Sequence, residues 1–226
     1  MSNPQAHPFI ADYLACFDDS WSDTTACSTV RFVALDSETT GTDPRSDRLV
    51  SIGAVAVQAG EIVVEDSFET MLKVAYNSSA VTVHGITREQ AESGMDEPEA
   101  LKALLVYLRD GVIVGHHIGF DITLLNNACR RHFDIDLRNR SLDTMDLALH
   151  LEKDGAFSDR EPIRSFSLDA LCALFDVIPH DRHTAPGDAF ITAQIFLRLL
   201  RIARHCGRTT LGAVSERFHP GDEPAP

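Results

Sequence analysis

The sequence predicts an α/β domain in which a mixed sheet carries helices on both faces. Three β-rich segments come first, and helices and strands alternate after them. The connection Gln58-Ala59-Gly60 between the second and third segments is short enough for a hairpin, so this pair should be antiparallel. The 226 residues suit one compact domain, which we expect at 29–208, preceded by an N-terminal arm (1–28) and followed by a C-terminal tail (209–226).

The strands are predicted from β-branched and apolar runs that end at turn residues. They are expected at 30–35, 49–57, 61–74, 112–115 and, as a short piece, at Leu142. Apolar residues at helical spacing predict helices at 87–92, 98–108, 119–132, 144–151, 167–175 and 187–204. An amphipathic stretch at 9–17 could form a further helix, which packs on the core or binds a partner, and packing is favoured. Residues after Thr209 are expected to form a frayed tail.

Composition narrows the class of protein. The formal charge is −14, which does not favour tight binding of long duplexes because that affinity comes from Lys and Arg on phosphates. The basic clusters, which could follow a phosphate chain but are expected mostly to be solvated helix faces, are Arg130, Arg131, Arg138, Arg140, Arg198, Arg201, Arg204 and Arg208. Five scattered cysteines without a CxxC pair, no secretion signal and no apolar span favour a soluble, cytoplasmic protein.

Two carboxylates end the first strand. Asp36 and Glu38 are two residues apart, and because strand side chains alternate they should point to one face at the sheet edge. Two anions so placed repel each other unless a cation lies between them, and clustered carboxylates select hard divalent ions. On its own the pair is better explained as a solvated strand end, because this spacing is common in so acidic a chain.

Three further candidates lie where strands and helices meet. Asp121 follows the strand 112–115, Asp188 opens the last long helix, and His183 precedes Asp188 on the entering loop. Each acid could simply be a favourable residue at a helix N-terminus. Together they lie at the junctions where α/β proteins place their sites.

In this order, the residues resemble the DEDDh exonuclease family, whose familiar member is the proofreading subunit of bacterial replicative DNA polymerase. The motifs that carry the resemblance are Phe32–Gly41, Val83–Thr87, Val114–Asp121 and His183–Ala189. Asp143-Thr144 and Leu168–Leu171 also stand where the family has similar residues, and the resemblance spans roughly 30–204. It implies an RNase H-like fold with a five-stranded mixed sheet, and 3′-to-5′ exonuclease activity.

The resemblance also implies two divalent metal ions, Mg²⁺ or Mn²⁺, that hydrolyse the terminal phosphodiester. Asp36 would bridge the ions, Glu38 and Asp188 would complete the water-activating site, and Asp121 would hold the second ion. His183 would take the proton from the attacking water, a task suited to a group that titrates near neutrality.

Five positions are predicted to contact the strand end. Thr39, Thr40 and Gly41 would approach the last nucleotide, and His84 and Phe120 would pack against its base or sugar. Phe120 could equally belong to the core.

Departures from the family pattern are few. Ser37 replaces a commoner Thr, His117 stands where many members have Asn, and Pro186-Gly187 is unusual in the last motif. They put substrate preference in question and leave every catalytic position filled.

The sequence is compatible with several substrates and partners. We expect the 3′ end of DNA, most readily single-stranded, to be the substrate, with an exoribonuclease of the same family as the first alternative. A non-catalytic module that binds strand ends is the second. A polymerase or another protein could bind through residues 1–28, and an oligomer is possible.

Overall fold

The structure is a computed structural model that describes residues 8–74, 93–158 and 163–218. The predicted helix at 87–92 and the motif Val83–Thr87, with the candidate residue His84, lie outside the described residues.

A five-stranded mixed sheet forms the centre of the domain, as predicted. Its strands are β1 Phe32–Thr39, β2 Leu49–Gln58, β3 Glu61–Met71, β4 Val112–Gly115 and β5 Ser141–Asp143. The spatial order is β3-β2-β1-β4-β5. The strand pairs β1–β2 and β2–β3 are antiparallel, whereas β1–β4 and β4–β5 are parallel. The hairpin prediction is confirmed, and β3 ends at Met71, before the predicted 74.

Helices cover both faces of this sheet. They are α1 Pro8–Ala15, α2 Glu97–Leu108, α3 Gly119–Phe133, α4 Thr144–Lys153, α5 Leu168–Leu174, α6 Ala185–His205 and α7 Leu211–Val214. The longest, α6, begins two residues before the predicted position because the Thr184 hydroxyl accepts a hydrogen bond from the Gly187 N–H and caps it. Within the described residues, no helix is long and apolar enough to cross a membrane.

Alternation along β1 divides the core into two layers. Phe32 and Ala34 pack in the cluster formed with α4, α5 and α6. Val33 and Leu35 pack in the cluster formed with α1, α2 and α3. Because side chains alternate, each position beyond Leu35 has a defined side of the sheet.

The N-terminal helix α1 packs on the second layer. Ile10 and Tyr13 are 1% and 3% exposed. The Tyr13 hydroxyl donates to Asn139 Oδ1 at 2.6 Å and accepts from the Arg138 N–H at 2.9 Å. The apolar face of α1 is thus buried within the chain, and a partner would have to use its other side.

The expectation of a frayed tail after Thr209 is wrong for the residues that follow directly. Leu211 and Val214 are 0% and 1% exposed and belong to the first core layer. Thr210 forms a β-bridge with Ala26, and the Leu211 N–H donates to the Thr25 carbonyl at 2.8 Å. Two buried residues in a four-residue helix are too few to show a period in the sequence, although their burial attaches this segment to the domain.

Candidate active site

Three carboxylates meet at the end of β1. Asp36 and Glu38 share the side of the sheet that Phe32 and Ala34 occupy, and this side faces α6. Asp188, in the first turn of α6, is 7% exposed. One oxygen from each of Asp36, Glu38 and Asp188 lies within 4.8 Å of the others. We call these three residues the acidic cluster.

Two glycines allow α6 to approach the strands so closely. Gly53 on β2 pairs with Asp36, and a Cβ on Gly53 would overlap the backbone of Ala185 and Pro186. A Cβ on Gly187 would overlap the Asp181 carbonyl of the loop before the helix. The Pro186-Gly187 pair therefore fits a helix whose first turn is pressed against both the sheet and its own entering loop.

Asp121 lies beside the acidic cluster and outside that 4.8 Å group. It occupies the first turn of α3 and is 7% exposed. Ser37, whose side chain faces away from Asp36, donates a hydrogen bond from Oγ to Asp121 Oδ1 at 2.5 Å. Burial raises the pKa of Asp121 to about 6, although the Ser37 hydrogen bond lowers it.

The turn before Asp121 is held by Asp143 at the end of β5. Asp143 Oδ1 accepts from the backbone N–H of His117 at 3.2 Å, and Oδ2 accepts from that of Ile118 at 3.1 Å. Asp143 also caps α4 through the Met145 N–H at 2.9 Å. His117 has a φ of 58°, a left-handed conformation in which Asn, Asp and His are enriched. The left-handed backbone at position 117 therefore explains why either Asn or His can occupy it.

His183 stands exposed on the loop next to Asp188. Its φ is 63°, and its backbone N–H donates to Asp188 Oδ2 at 3.2 Å. The neighbouring Arg182 contacts two carboxylates. Its Nη1 donates to Asp188 Oδ1 at 2.5 Å and its Nε donates to Asp169 Oδ1 at 2.8 Å. Arg182 was missed from the sequence, where only its place beside His183 could have drawn attention.

Repulsion among the carboxylates of the acidic cluster favours the binding of a cation. Burial first, and then the charges of Asp121, Asp188 and Glu38, raise the pKa of Asp36 well above its ordinary value. Burial and Asp188 likewise raise the pKa of Glu38 to about 7, although His183 and Arg182 oppose this change. A divalent ion would remove the repulsion, and three convergent carboxylates are a donor set that suits Mg²⁺ or Mn²⁺.

A cavity of about 700 Å³ opens beside the acidic cluster. Glu38 and His183 line it together with Met71, Pro186 and Phe190. It is large enough for a nucleotide, and it combines apolar surface with the carboxylate edge.

The described residues predicted to contact the strand end lie near β1 and α3. Thr39 Oγ1 donates to the Gly41 carbonyl at 2.7 Å, and Thr40 Oγ1 donates to Asp47 Oδ1 at 2.8 Å. These hydroxyls are engaged within the loop that follows β1. Phe120 is partly buried and packs against the second core layer, so part of its ring belongs to the core.

Several of the predicted basic residues are paired internally. Arg130 binds Asp136, Arg131 binds Glu97, Arg140 binds Asp23, and Arg208 binds Asp154 and Glu216. Arg130 and Arg131 are exposed on α3, as expected for a solvated helix face, and form their ion pairs there, whereas Arg140 and Arg208 lie outside the helices. Their positive charge is largely compensated, which leaves less of it for phosphates.

Comparison with known proteins gives the family. The sequence model of the family RNase_T, described as "Exonuclease", matches residues 33–196. The chain is 35% identical over 199 residues to a DNA polymerase III PolC-type of Thermotoga maritima, covering 86% of this chain and 14% of that protein. It is 34% identical over 191 residues to a DNA polymerase III subunit epsilon-like protein of Rhodobacter capsulatus, covering 81% of this chain and 25% of that protein. The chain thus spans a quarter or less of the length of these relatives.

Solved structures agree on the fold. E. coli Exonuclease I in complex with a dT13 oligonucleotide superposes with a TM-score of 0.67 at 22% identity, covering 78% of this chain and 42% of that chain. The RNase H-like fold is thereby confirmed. The family resemblance is confirmed as well, since the matched region runs from β1 into α6 and includes the acidic cluster, Asp121 and His183. The chain belongs to the RNase_T exonuclease family.

Proposed function

We propose that this chain is a divalent-metal-dependent 3′-to-5′ exonuclease domain that releases nucleoside monophosphates from the 3′ end of single-stranded DNA. The observation that carries the proposal is the acidic cluster, whose oxygens converge within 4.8 Å beside the exposed His183. Membership of the exonuclease family supports the reaction class. Relatives named as DNA polymerase III, and a structural neighbour bound to dT13, support DNA as the substrate.

Two metal ions, Mg²⁺ or Mn²⁺, would be held by the acidic cluster and Asp121. When bound, they would neutralise the phosphodiester and polarise the attacking water. The charges of Glu38, Asp188 and Asp121 all act on Asp36, which would therefore contribute to holding both ions. Glu38 and Asp188 would belong to the ion next to His183, while Asp121, held by Ser37, would serve the other.

His183 would act as the general base. It would accept the proton of the water that attacks phosphorus, while the P–O3′ bond to the preceding nucleotide breaks and a nucleoside 5′-monophosphate leaves. Because its side chain is exposed on a loop, the imidazole can reach a phosphate bound over the acidic cluster.

The bound strand end would lie in the cavity beside the cluster. Thr39, Thr40 and Gly41 would approach the last nucleotide from the loop after β1, and Phe120 would offer the exposed part of its ring. Since the net charge is −14, binding would be confined to the strand end, where the metal ions supply the positive charge. A polymerase partner bound through residues 1–28 would have to use the exposed side of α1.

The test is degradation of 5′-labelled single-stranded DNA and RNA of equal length in Mg²⁺ or Mn²⁺. We expect a ladder that shortens from the 3′ end, faster on DNA. Asp36→Asn should reduce the rate by at least about 100-fold, and His183→Ala should reduce it by about 100-fold. Asp136→Asn makes the same acid-to-amide change in an exposed ion pair with Arg130 and should leave the rate unchanged.

Other outcomes would redirect the assignment. Faster degradation of RNA would make the chain an exoribonuclease. Absence of cleavage with either polymer and either metal would contradict catalysis and leave a module that binds strand ends.

A further inference from the structure

The loop that carries His183 has an unusual backbone. Asp181 and His183 have φ values of 54° and 63° on either side of Arg182. Residues other than glycine rarely adopt this left-handed conformation, and it persists where surrounding contacts hold it. The Thr184 hydroxyl donates to the Asp181 carbonyl at 2.7 Å, which closes the turn over the start of α6.

Arg182 ties this loop to two helices. Its side chain is 20% exposed and lies between Asp169, in the first turn of α5, and Asp188, in the first turn of α6. The hydrogen bond that Arg182 donates to Asp169, together with the positive charge of Arg182, lowers the pKa of Asp169 below its ordinary value. Asp188 completes the arrangement, because one of its oxygens accepts from Arg182 and the other from the His183 backbone N–H.

From these contacts we infer that Arg182 is a positioning residue, which holds the His183 loop in its left-handed turn so that the imidazole faces the acidic cluster. The inference rests on the proposed function for its catalytic consequence. A planar guanidinium can bind two carboxylates at once through different nitrogens, whereas a lysine ammonium is a single point charge and would favour one of them. The contact between Arg182 and Asp169 attaches the loop to α5, and it involves no residue of the acidic cluster.

This role differs from that of a residue that organises the metal ligands. Arg182 is a cation beside the acidic cluster, and its removal takes away a positive charge that competes with a metal ion for Asp188. Loss of Arg182 should therefore leave metal affinity unchanged or stronger while the loop becomes more mobile. A ligand organiser would show the opposite result, a weaker metal affinity.

The first readout needs neither metal nor substrate. Amide hydrogen exchange of the peptide containing residues 181–184 is measured in the metal-free protein. In Arg182→Met the His183 amide, which donates to Asp188, should exchange at least about tenfold faster than in the wild type, and Asp169→Asn should have the same direction of effect. Arg130→Met removes a comparable exposed ion pair with Asp136 and should not change exchange in this loop.

The second readout is kinetic. With labelled single-stranded DNA, Arg182→Met should lower kcat about tenfold while KM stays within about threefold, and Arg182→Lys should fall between this variant and the wild type. The Kd for Mn²⁺, measured by calorimetry without nucleic acid, should not increase in either variant.

Unchanged loop exchange in Arg182→Met would overturn the inference, and so would unchanged kcat in an active enzyme. A rise in the Kd for Mn²⁺ parallel to the fall in kcat would also overturn it and make Arg182 a ligand organiser. If Arg182→Met does not fold, Arg182→Lys and Asp169→Asn provide the same comparison. A wild type without nuclease activity would instead contradict the proposed function, while the exchange experiment would still decide whether Arg182 holds the loop.

Discussion

Glu38 should make the stability of the metal-free protein depend on pH. Its residue surface is 9% exposed, and burial and Asp188 raise its pKa from 4.5 to about 7. In the unfolded chain the pKa of Glu38 returns to its ordinary value, so the folded state binds the carboxyl proton of Glu38 more tightly than the unfolded state does. The stabilisation linked to protonated Glu38 is therefore fully present below pH 4.5 and is lost as the pH rises through about 7.

The size of the effect follows from that difference in pKa. A change from 4.5 to about 7 corresponds to about 3 kcal/mol in the free energy of unfolding. Solvent in the adjoining cavity screens the charge, and we therefore expect about 1–2 kcal/mol in practice. For a domain of this size that is a shift of about 2–8 °C in Tm.

Glu38→Gln keeps the shape of the side chain and removes its titration. In EDTA, thermal unfolding followed by circular dichroism from pH 5 to pH 8 should show a smaller loss of stability in Glu38→Gln than in the wild type. Saturating Mn²⁺ should reduce the loss in the wild type, because the ion takes the place of the proton. Glu65→Gln, at an exposed position of β3, is the matched control. An equal decline in Glu38→Gln and the wild type would show that protonation of Glu38 is not the cause of the pH dependence.

Two further substitutions test the contacts that assemble the site. Gly53→Ala should destabilise the fold by about 1–3 kcal/mol and lower nuclease activity, because its Cβ would press on Pro186. Chemical denaturation measures the change in the free energy of unfolding. Gly119→Ala is the control, since a Cβ at that position meets nothing within 4 Å. Ser37→Ala removes the hydrogen bond that lowers the pKa of Asp121, so this pKa should rise above about 6. Half-maximal activity near pH 6 should then need more Mg²⁺ than in the wild type, and the two proteins should converge at pH 8.

Results of the opposite kind would contradict these assignments. Wild-type stability in Gly53→Ala would mean that α6 does not need its close approach to β2. An unchanged Mg²⁺ requirement near pH 6 in Ser37→Ala would show that the hydroxyl does not control the ionisation of Asp121.

The sequence was sufficient for the sheet and for the placement of its carboxylates. Alternation along β1 placed Asp36 and Glu38 on one side, and the resemblance to the DEDDh family implied that Asp188 joins them. Within the described residues, local patterns also predicted the bounds of α1 to α6 to within two residues, although they missed the short α7. The start of α6 was wrong because Thr184 caps the helix before the predicted first residue.

Other features depend on contacts between distant segments, which a single sequence does not display. Gly53 lies in an apolar strand, where a glycine indicates close backbone approach without naming the partner. Arg182 reads as one more charged loop residue until Asp169 and Asp188 lie on either side of it. The burial of Leu211 similarly requires Thr25, far away in the chain, as its backbone partner.

We propose that Asp36, Glu38 and Asp188 together bind a divalent metal ion, and this binding can be measured by calorimetric titration of the protein with Mn²⁺ in the absence of nucleic acid. We predict that the wild type and Asp136→Asn bind Mn²⁺ with equal affinity, and that Asp36→Asn binds at least about tenfold more weakly, since it removes one carboxylate ligand. Equal Mn²⁺ affinity in Asp36→Asn and the wild type would show that the acidic cluster does not hold the ion.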